Sequence, residues 1–161
     1  MEISTRGRYA LRAMLDLAMH GGTRPLLRHD IAARQEISAE YAAQLFRMLR
    51  SAGLVRAVKG PGGGYALARD ASQIRVGDVL RAVEGPLRVV RCVEARGYAS
   101  CPRSEQCVAR LLWKELSDTI TRFLDSITLQ DLCLRAQDLA RGSWTSLVPA
   151  ESIPAYGDYV I

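Results

Sequence analysis

Apolar positions in the first third of the chain recur at helical spacing. Tyr9, Leu11, Met14, Leu15, Ala18 and Met19 step by three and four residues and predict an amphipathic helix over about 6–20, closed by Gly21-Gly22. Leu27, Ile31 and Ala32 mark a second helix over roughly 28–36. Ser38, a favourable N-cap, precedes Tyr41, Leu45, Phe46, Met48 and Leu49, so a third helix runs from about 39 to 52 and stops at Gly53. The period then shortens. Leu54-Val55-Arg56-Ala57-Val58 and Tyr65-Ala66-Leu67 are β-capable runs flanking Lys59-Gly60-Pro61-Gly62-Gly63-Gly64, the pattern of a hairpin. Three helices and a hairpin in this order predict a mainly α fold of the winged helix-turn-helix type with one small β-hairpin.

Beyond the hairpin, Val76, Val79, Leu80 and Val83 fall on one helical face, and Gly85-Pro86 ends it. Residues 87–107 show no period and hold Cys92, Cys101 and Cys107. Leu112, Leu116, Ile120, Phe123 and Ile127, spaced by four and three, predict a long helix over about 108–128, with a further helical piece over 129–140. From Gly142 onward there is no periodicity. The expected organisation is a DNA-binding winged helix-turn-helix at 1–86, a cysteine segment at 87–107 and helices at 108–140. A tail at 141–161 is expected to be loosely ordered or partner-dependent.

Composition narrows the class. The chain has 161 residues, 48% hydrophobic and 24% charged, as a soluble globular protein does. No uncharged apolar run reaches the ~18 residues of a membrane span. Arg6, Arg8, Arg12 and Asp16 break up the first twenty residues, which argues against a cleaved signal and makes the cytoplasm the expected compartment. In that compartment the four cysteines are thiols or metal ligands rather than disulfides.

Charge is uneven. Residues 1–69 carry eleven Lys/Arg against five Asp/Glu, whereas residues 70–161 carry eleven against twelve. A basic first half points to a polyanion. The third helix places Glu40, Gln44, Arg47 and Arg50 opposite its apolar stripe, where Gln and Arg can reach base edges and phosphates in a major groove. Lys59 sits at the start of the wing turn, and Gly62 and Gly63 let that turn approach a backbone without steric conflict. Together these features indicate double-stranded DNA. The Gly-rich run lacks a GK[ST] ending and a strand-to-helix context, so it is not a nucleotide phosphate loop.

Cys92, Cys101 and Cys107 are separated by eight and five residues, without the tight pairs of structural zinc sites. Three thiolates on one segment suit an iron–sulfur cluster, and on spacing alone they equally suit unrelated or oxidisable thiols. A thiol oxidoreductase would need a C-x-x-C pair, which is missing, and neither His20 nor His29 has an evident nucleophile partner.

At family level the sequence is recognisable. Ser4-Thr5-Arg6-Gly7-Arg8-Tyr9-Ala10-Leu11-Arg12-Ala13-Met14, the stretch Ile31 to Leu54 with Gln44-Leu45-Phe46 and Leu49-Arg50-Ser51-Ala52-Gly53-Leu54, the wing Gly60-Pro61-Gly62-Gly63-Gly64-Tyr65, and Val76-Gly77-Asp78-Val79 to Glu84-Gly85-Pro86 follow in order. Over about residues 1–140 the chain resembles the Rrf family of bacterial winged-helix transcription regulators. The resemblance implies a non-enzymatic, homodimeric regulator that binds a palindromic operator. It implies pairing through the long helix, hence through Leu112, Leu116, Ile120, Phe123 and Ile127. It further implies an iron–sulfur cluster, 2Fe–2S or 4Fe–4S, held by Cys92, Cys101 and Cys107 and reporting redox, nitric oxide or iron status.

Three positions depart from the family's pattern. Arg110 stands where one cluster-binding branch has a ligating His, and Arg8 where another has an acidic residue. Ala43 stands where the first branch has a Glu that shapes operator choice. The fourth ligand is thus open among Glu94, Glu105, His20, His29, Cys133 and a small exogenous molecule. A same-fold regulator signalling through bare thiols, or through a partner enzyme, is the alternative.

Overall fold

Ser4 caps the first helix, its Oγ accepting from the Gly7 N–H at 3.3 Å. The computed structural model describes residues 3–22, 24–60, 62–94 and 101–143. Its elements are α1 (Thr5–His20), α2 (Arg28–Gln35), α3 (Ala39–Ser51), β1 (Val55–Val58), β2 (Gly64–Leu67), α4 (Val76–Glu84), α5 (Val108–Ser126) and α6 (Leu129–Ala140), with short 3-10 turns at Ala71–Gln73 and Arg91–Val93. The winged helix-turn-helix plan is present, mostly helical with one antiparallel hairpin. Of the tail expected at 141–161, residues 144–161 lie outside the described residues.

The head forms around one apolar cluster. Met14 and Leu17 of α1, Ile31 of α2, Leu45, Phe46 and Leu49 of α3, Ile74, and Val79 of α4 are all buried together. At ~25 cal/mol per Å² of apolar area this burial supplies the main drive to fold. The hairpin closes the core's edge. β1 and β2 pair from Val55↔Leu67 to Val58↔Gly64, and the Tyr65 ring stacks on Phe46 with centroids 4.2 Å apart. Tyr65 also exchanges two backbone hydrogen bonds with Leu26, each 2.8 Å, which adds a one-residue third strand. A side chain at Gly64 would run into the Leu26 carbonyl, so the sequence can place only glycine there.

One charge is built into this core. Asp16 is 1% exposed, and its carboxylate accepts two hydrogen bonds from Arg34, at 2.8 and 2.7 Å, tying α1 to α2. The pairing holds the Arg34 guanidinium above its ordinary pKa.

α5 leaves the head as an arm, anchored at its C-terminal end. Val76 N–H donates to Ile127 O and Leu129 N–H to Ile74 O, both at 2.9 Å. Arg81 forks onto Asp125 at 2.7 and 3.1 Å. The arm helix ends at Ser126 rather than 128. Ile127 is therefore its C-cap, not a position on its outer stripe. It is buried with Val76 and Leu80 in a small second cluster, which corrects its expected place on a dimer face. α6 then folds back on α1, and Leu129 is fully buried in the head core. Among the described residues no helix is long and apolar enough to cross a membrane.

Candidate nucleic-acid interface and thiol segment

The chemistry of α3 follows from its two faces. Ser38 Oγ caps it by accepting from the Tyr41 N–H at 3.0 Å. Ala42, Leu45, Phe46 and Leu49 are fully buried, so residues on the opposite side must face solvent. That side carries Glu40, Gln44, Arg47 and Arg50, all exposed. Glu40 lies in the first turn, where its negative charge complements the helix dipole. Structural stabilisation is thus an ordinary role for it, alongside any DNA contact.

The wing continues the basic surface. Lys59 is exposed at the end of β1, and Gly62 turns with φ +73°. Gly63 is half-buried and donates its N–H to the Gly60 carbonyl at 2.9 Å. Pro61 lies outside the described residues. Arg24, Arg28, Arg56 and Arg69 belong to no motif or helix face marked by periodicity, yet each is exposed and, among the described residues, none has an acidic partner within 4 Å. The charge asymmetry of residues 1–69 was the signal that could have found them.

The thiol segment rides on the arm. Val89 N–H donates to Ser117 Oγ at 3.1 Å, and that buried hydroxyl donates onward to Trp113 O at 2.7 Å. Cys92 lies in the Arg91–Val93 turn, and its carbonyl accepts from Arg110 Nε at 3.0 Å. Cys107 is the N-cap of α5, and Cys101 precedes the turn that leads into it. All three are half-buried free thiols. Residues 95–100 lie outside the described residues. Among the described residues no three His, Cys, Asp or Glu side chains converge as metal ligands, so the trio is near α5 without being gathered.

The candidate fourth ligands are mostly occupied elsewhere. Glu94 is ion-paired to Arg88, the His29 ring lies 2.9 Å from an Asp30 carboxylate oxygen, and the His20 ring lies 3.4 Å from an Asp16 carboxylate oxygen. Glu105 is exposed in the turn before α5. Cys133 is on α6, and burial pushes its thiol up, which disfavours a ligating thiolate. In donor chemistry the segment fits a cluster at three positions: soft, unpaired sulfurs on one stretch of chain.

The outer face of α5 is apolar and uncovered. Leu112 is 57% exposed, Leu116 39% and Phe123 42%. Val108 at 78% and Leu111 at 57% extend this face toward the thiols, and the four-residue spacing chosen from the sequence overlooked both. Ile120 is half-buried and lines a cavity of about 210 Å³ with Leu80, Leu87 and Leu124 at the base of the arm.

Comparison with known proteins decides the family. Residues 3–135 match Rrf2, described as an iron-dependent transcriptional regulator. The chain belongs to the Rrf2 family. Over 132 residues, 82% of its length, it is 46% identical to the HTH-type transcriptional regulator IscR of Cronobacter sakazakii, covering 80% of that protein. It is equally similar to IscR of Escherichia coli O1:K1. Among solved structures, T. potens IscR superimposes with a TM-score of 0.68 at 36% identity, over 91% of this chain and 93% of that one. CymR, the global cysteine regulator of B. subtilis, gives 0.67 at 37% identity, over 83% and 96%. This Rrf2 chain is a DNA-binding transcriptional regulator and not an enzyme.

Proposed function

We propose that this Rrf2 regulator works as a homodimer whose operator affinity is set by an iron–sulfur cluster on Cys92, Cys101 and Cys107. The observation that carries the reading is that thiols and arm share one helix: Cys107 caps α5, Cys92 is bonded to it, and its outer face is apolar. A second copy covering Leu112, Leu116 and Phe123 would remove that apolar surface from water. Pairing would also set two α3 helices against successive major grooves of a palindromic site. Gln44 and Arg47 would read base edges, while Arg50 and Lys59 would hold phosphates.

A bound cluster would supply a redox-active centre whose iron can exchange its non-thiolate ligand. The chain's part is mechanical. Cys107 lies at the N-terminus of α5 and Asp125 near its C-terminus, where Arg81 fastens it to α4 of the head. A change of state at the thiols can shift head spacing only if the two arrangements hold the cluster with different free energies.

The test is operator affinity of anaerobically purified protein, with and without its iron, at fixed salt. Different affinities for iron- and sulfide-loaded protein support the reading, and equal affinities overturn the switch. The bare-thiol reading draws on the observation that Cys92, Cys101 and Cys107 are half-buried free thiols. Iron-free, colourless protein whose DNA binding responds to peroxide would select it. In either case Lys59→Ala should lower the salt slope of binding by about 1, the value for a single phosphate, without altering sequence preference.

A further inference from the structure

We infer that Arg110 is a positioning residue for the thiol site, clasping Cys92 to the first turn of the arm helix. The inference deepens the cluster reading and rests on it for its functional meaning. Arg110 lies one turn into α5, and its backbone N–H donates to the carbonyl of Cys107 at 3.1 Å. Its side chain reaches back across 18 residues of sequence, and Nε donates to the carbonyl of Cys92 at 3.0 Å. One residue therefore touches the backbone of the first cysteine of the trio and that of the last. The guanidinium itself cannot ligate, because it stays protonated. Its value is geometric: a planar donor fork on a long stem orients an acceptor more tightly than a lysine ammonium does.

Two neighbouring contacts show that this clasp belongs to a built arrangement. Upstream of Cys92, Val89 N–H is fixed to buried Ser117 Oγ at 3.1 Å, two turns further along the same helix. Around Cys92, Arg88 and Glu94 pair with each other and close the short stretch between them. Val89 and Cys92 are thus each fastened to α5, at Ser117 and at Arg110, so residues 88–94 are laid along the helix. The Cys92 thiol moves with the arm. Without Arg110, the bond to the Cys92 carbonyl disappears, while the Val89 bond to Ser117 and the Arg88–Glu94 pair remain. Ordering that stretch before iron arrives lowers the conformational cost of collecting the ligands, which is what preorganisation contributes to affinity.

The experiment has two arms, each using the full chain. In the iron-free protein, amide exchange of the peptide spanning residues 87–94 is compared among wild type, Arg110→Ala and Arg110→Lys. Loss of one charge-assisted hydrogen bond predicts exchange roughly tenfold faster in Arg110→Ala. Exchange in α1 should be unchanged, which shows that the variant has folded, and Arg110→Lys should recover part of the protection. In the second arm, reconstituted protein is challenged with an iron chelator while visible circular dichroism is followed. Arg110→Ala should lose its signal several-fold faster, with an altered band shape that Arg110→Lys partly restores. Unchanged exchange overturns the clasp. Faster exchange with identical spectrum and iron loss overturns the positioning role. If wild type takes up no iron at all, the cluster reading fails, while the first arm still decides the clasp.

Discussion

The head and the arm of this regulator dispose of charge and apolar surface in opposite ways. On the head, Arg47, Arg50, Arg56, Lys59 and Arg69 have no carboxylate partner within 4 Å among the described residues, while the apolar side chains of α3 are buried. On the arm and at its base, Arg81 meets Asp125, Arg88 meets Glu94 and Lys114 meets Asp118 at 2.6 Å, yet Leu112, Leu116 and Phe123 face solvent. An unpaired cation keeps its charge for a distant polyanion, whereas a paired one is largely neutralised locally. The head is thus a finished fold with charge to spare. The arm is charge-balanced and lacks only a cover for its apolar face, which the proposed second copy provides.

The comparison breaks most visibly in the head core. Phe46 is fully buried and stacked on Tyr65, so Phe46→Ala opens a cavity and removes the ring that seats the hairpin. The expected loss is about 3–5 kcal/mol, a large part of a small domain's stability, read as a lower denaturant midpoint. Paired substitution on the arm should behave differently. Leu112→Asp with Leu116→Asp should leave the helical circular dichroism intact and raise the dimer dissociation constant at least about a hundredfold in sedimentation. Heads that unfold when the arm is made polar would mean that the exposed leucines support the head itself, and the two-region picture would fall.

Why some of this was readable from sequence and some was not follows from the range of each interaction. α1, α3 and α4 are marked by local signals: an apolar stripe at helical period, Ser38 at an N-cap, Gly85 after a last turn. The exposed face of α3 is the complement of its buried one, so Gln44 and Arg47 could be placed from periodicity alone. Ile127 was misplaced because the apolar spacing continues one step past the end of the helix, and only the backbone pairing with Val76 shows where the chain turns. The ties between Asp16 and Arg34, Arg81 and Asp125, and Arg110 and Cys92 join residues 18 to 44 positions apart, and no local pattern encodes them. Approach of the three thiols to one another is likewise a tertiary matter that spacing could not supply.

The smallest expected effect probes the corner where arm meets head. Thr128 and Asp131 cap α6 reciprocally: Thr128 donates to the Asp131 carboxylate from its N–H at 2.9 Å and from its hydroxyl at 2.7 Å, and Asp131 N–H returns a bond at 3.1 Å. The Thr128 hydroxyl first, then its backbone N–H, hold the Asp131 carboxyl below the usual carboxylate range. A carboxyl depressed in the folded state stabilises above its unfolded pKa of about 3.9, and that contribution is lost as pH falls through the lower folded value. Asp131→Ala should therefore cost about 0.5–1 kcal/mol at neutral pH, a cap's worth at an exposed site. The gap between variant and wild type should close as pH drops below the unfolded value of about 3.9, since other titrations cancel in the difference. Because Leu129, one residue past the cap, is buried in the head core, the loss should register in global unfolding. If it appears only as local fraying of α6, measured by amide exchange, then this corner belongs energetically to the arm, and the boundary between the two regions lies on the head side of Leu129.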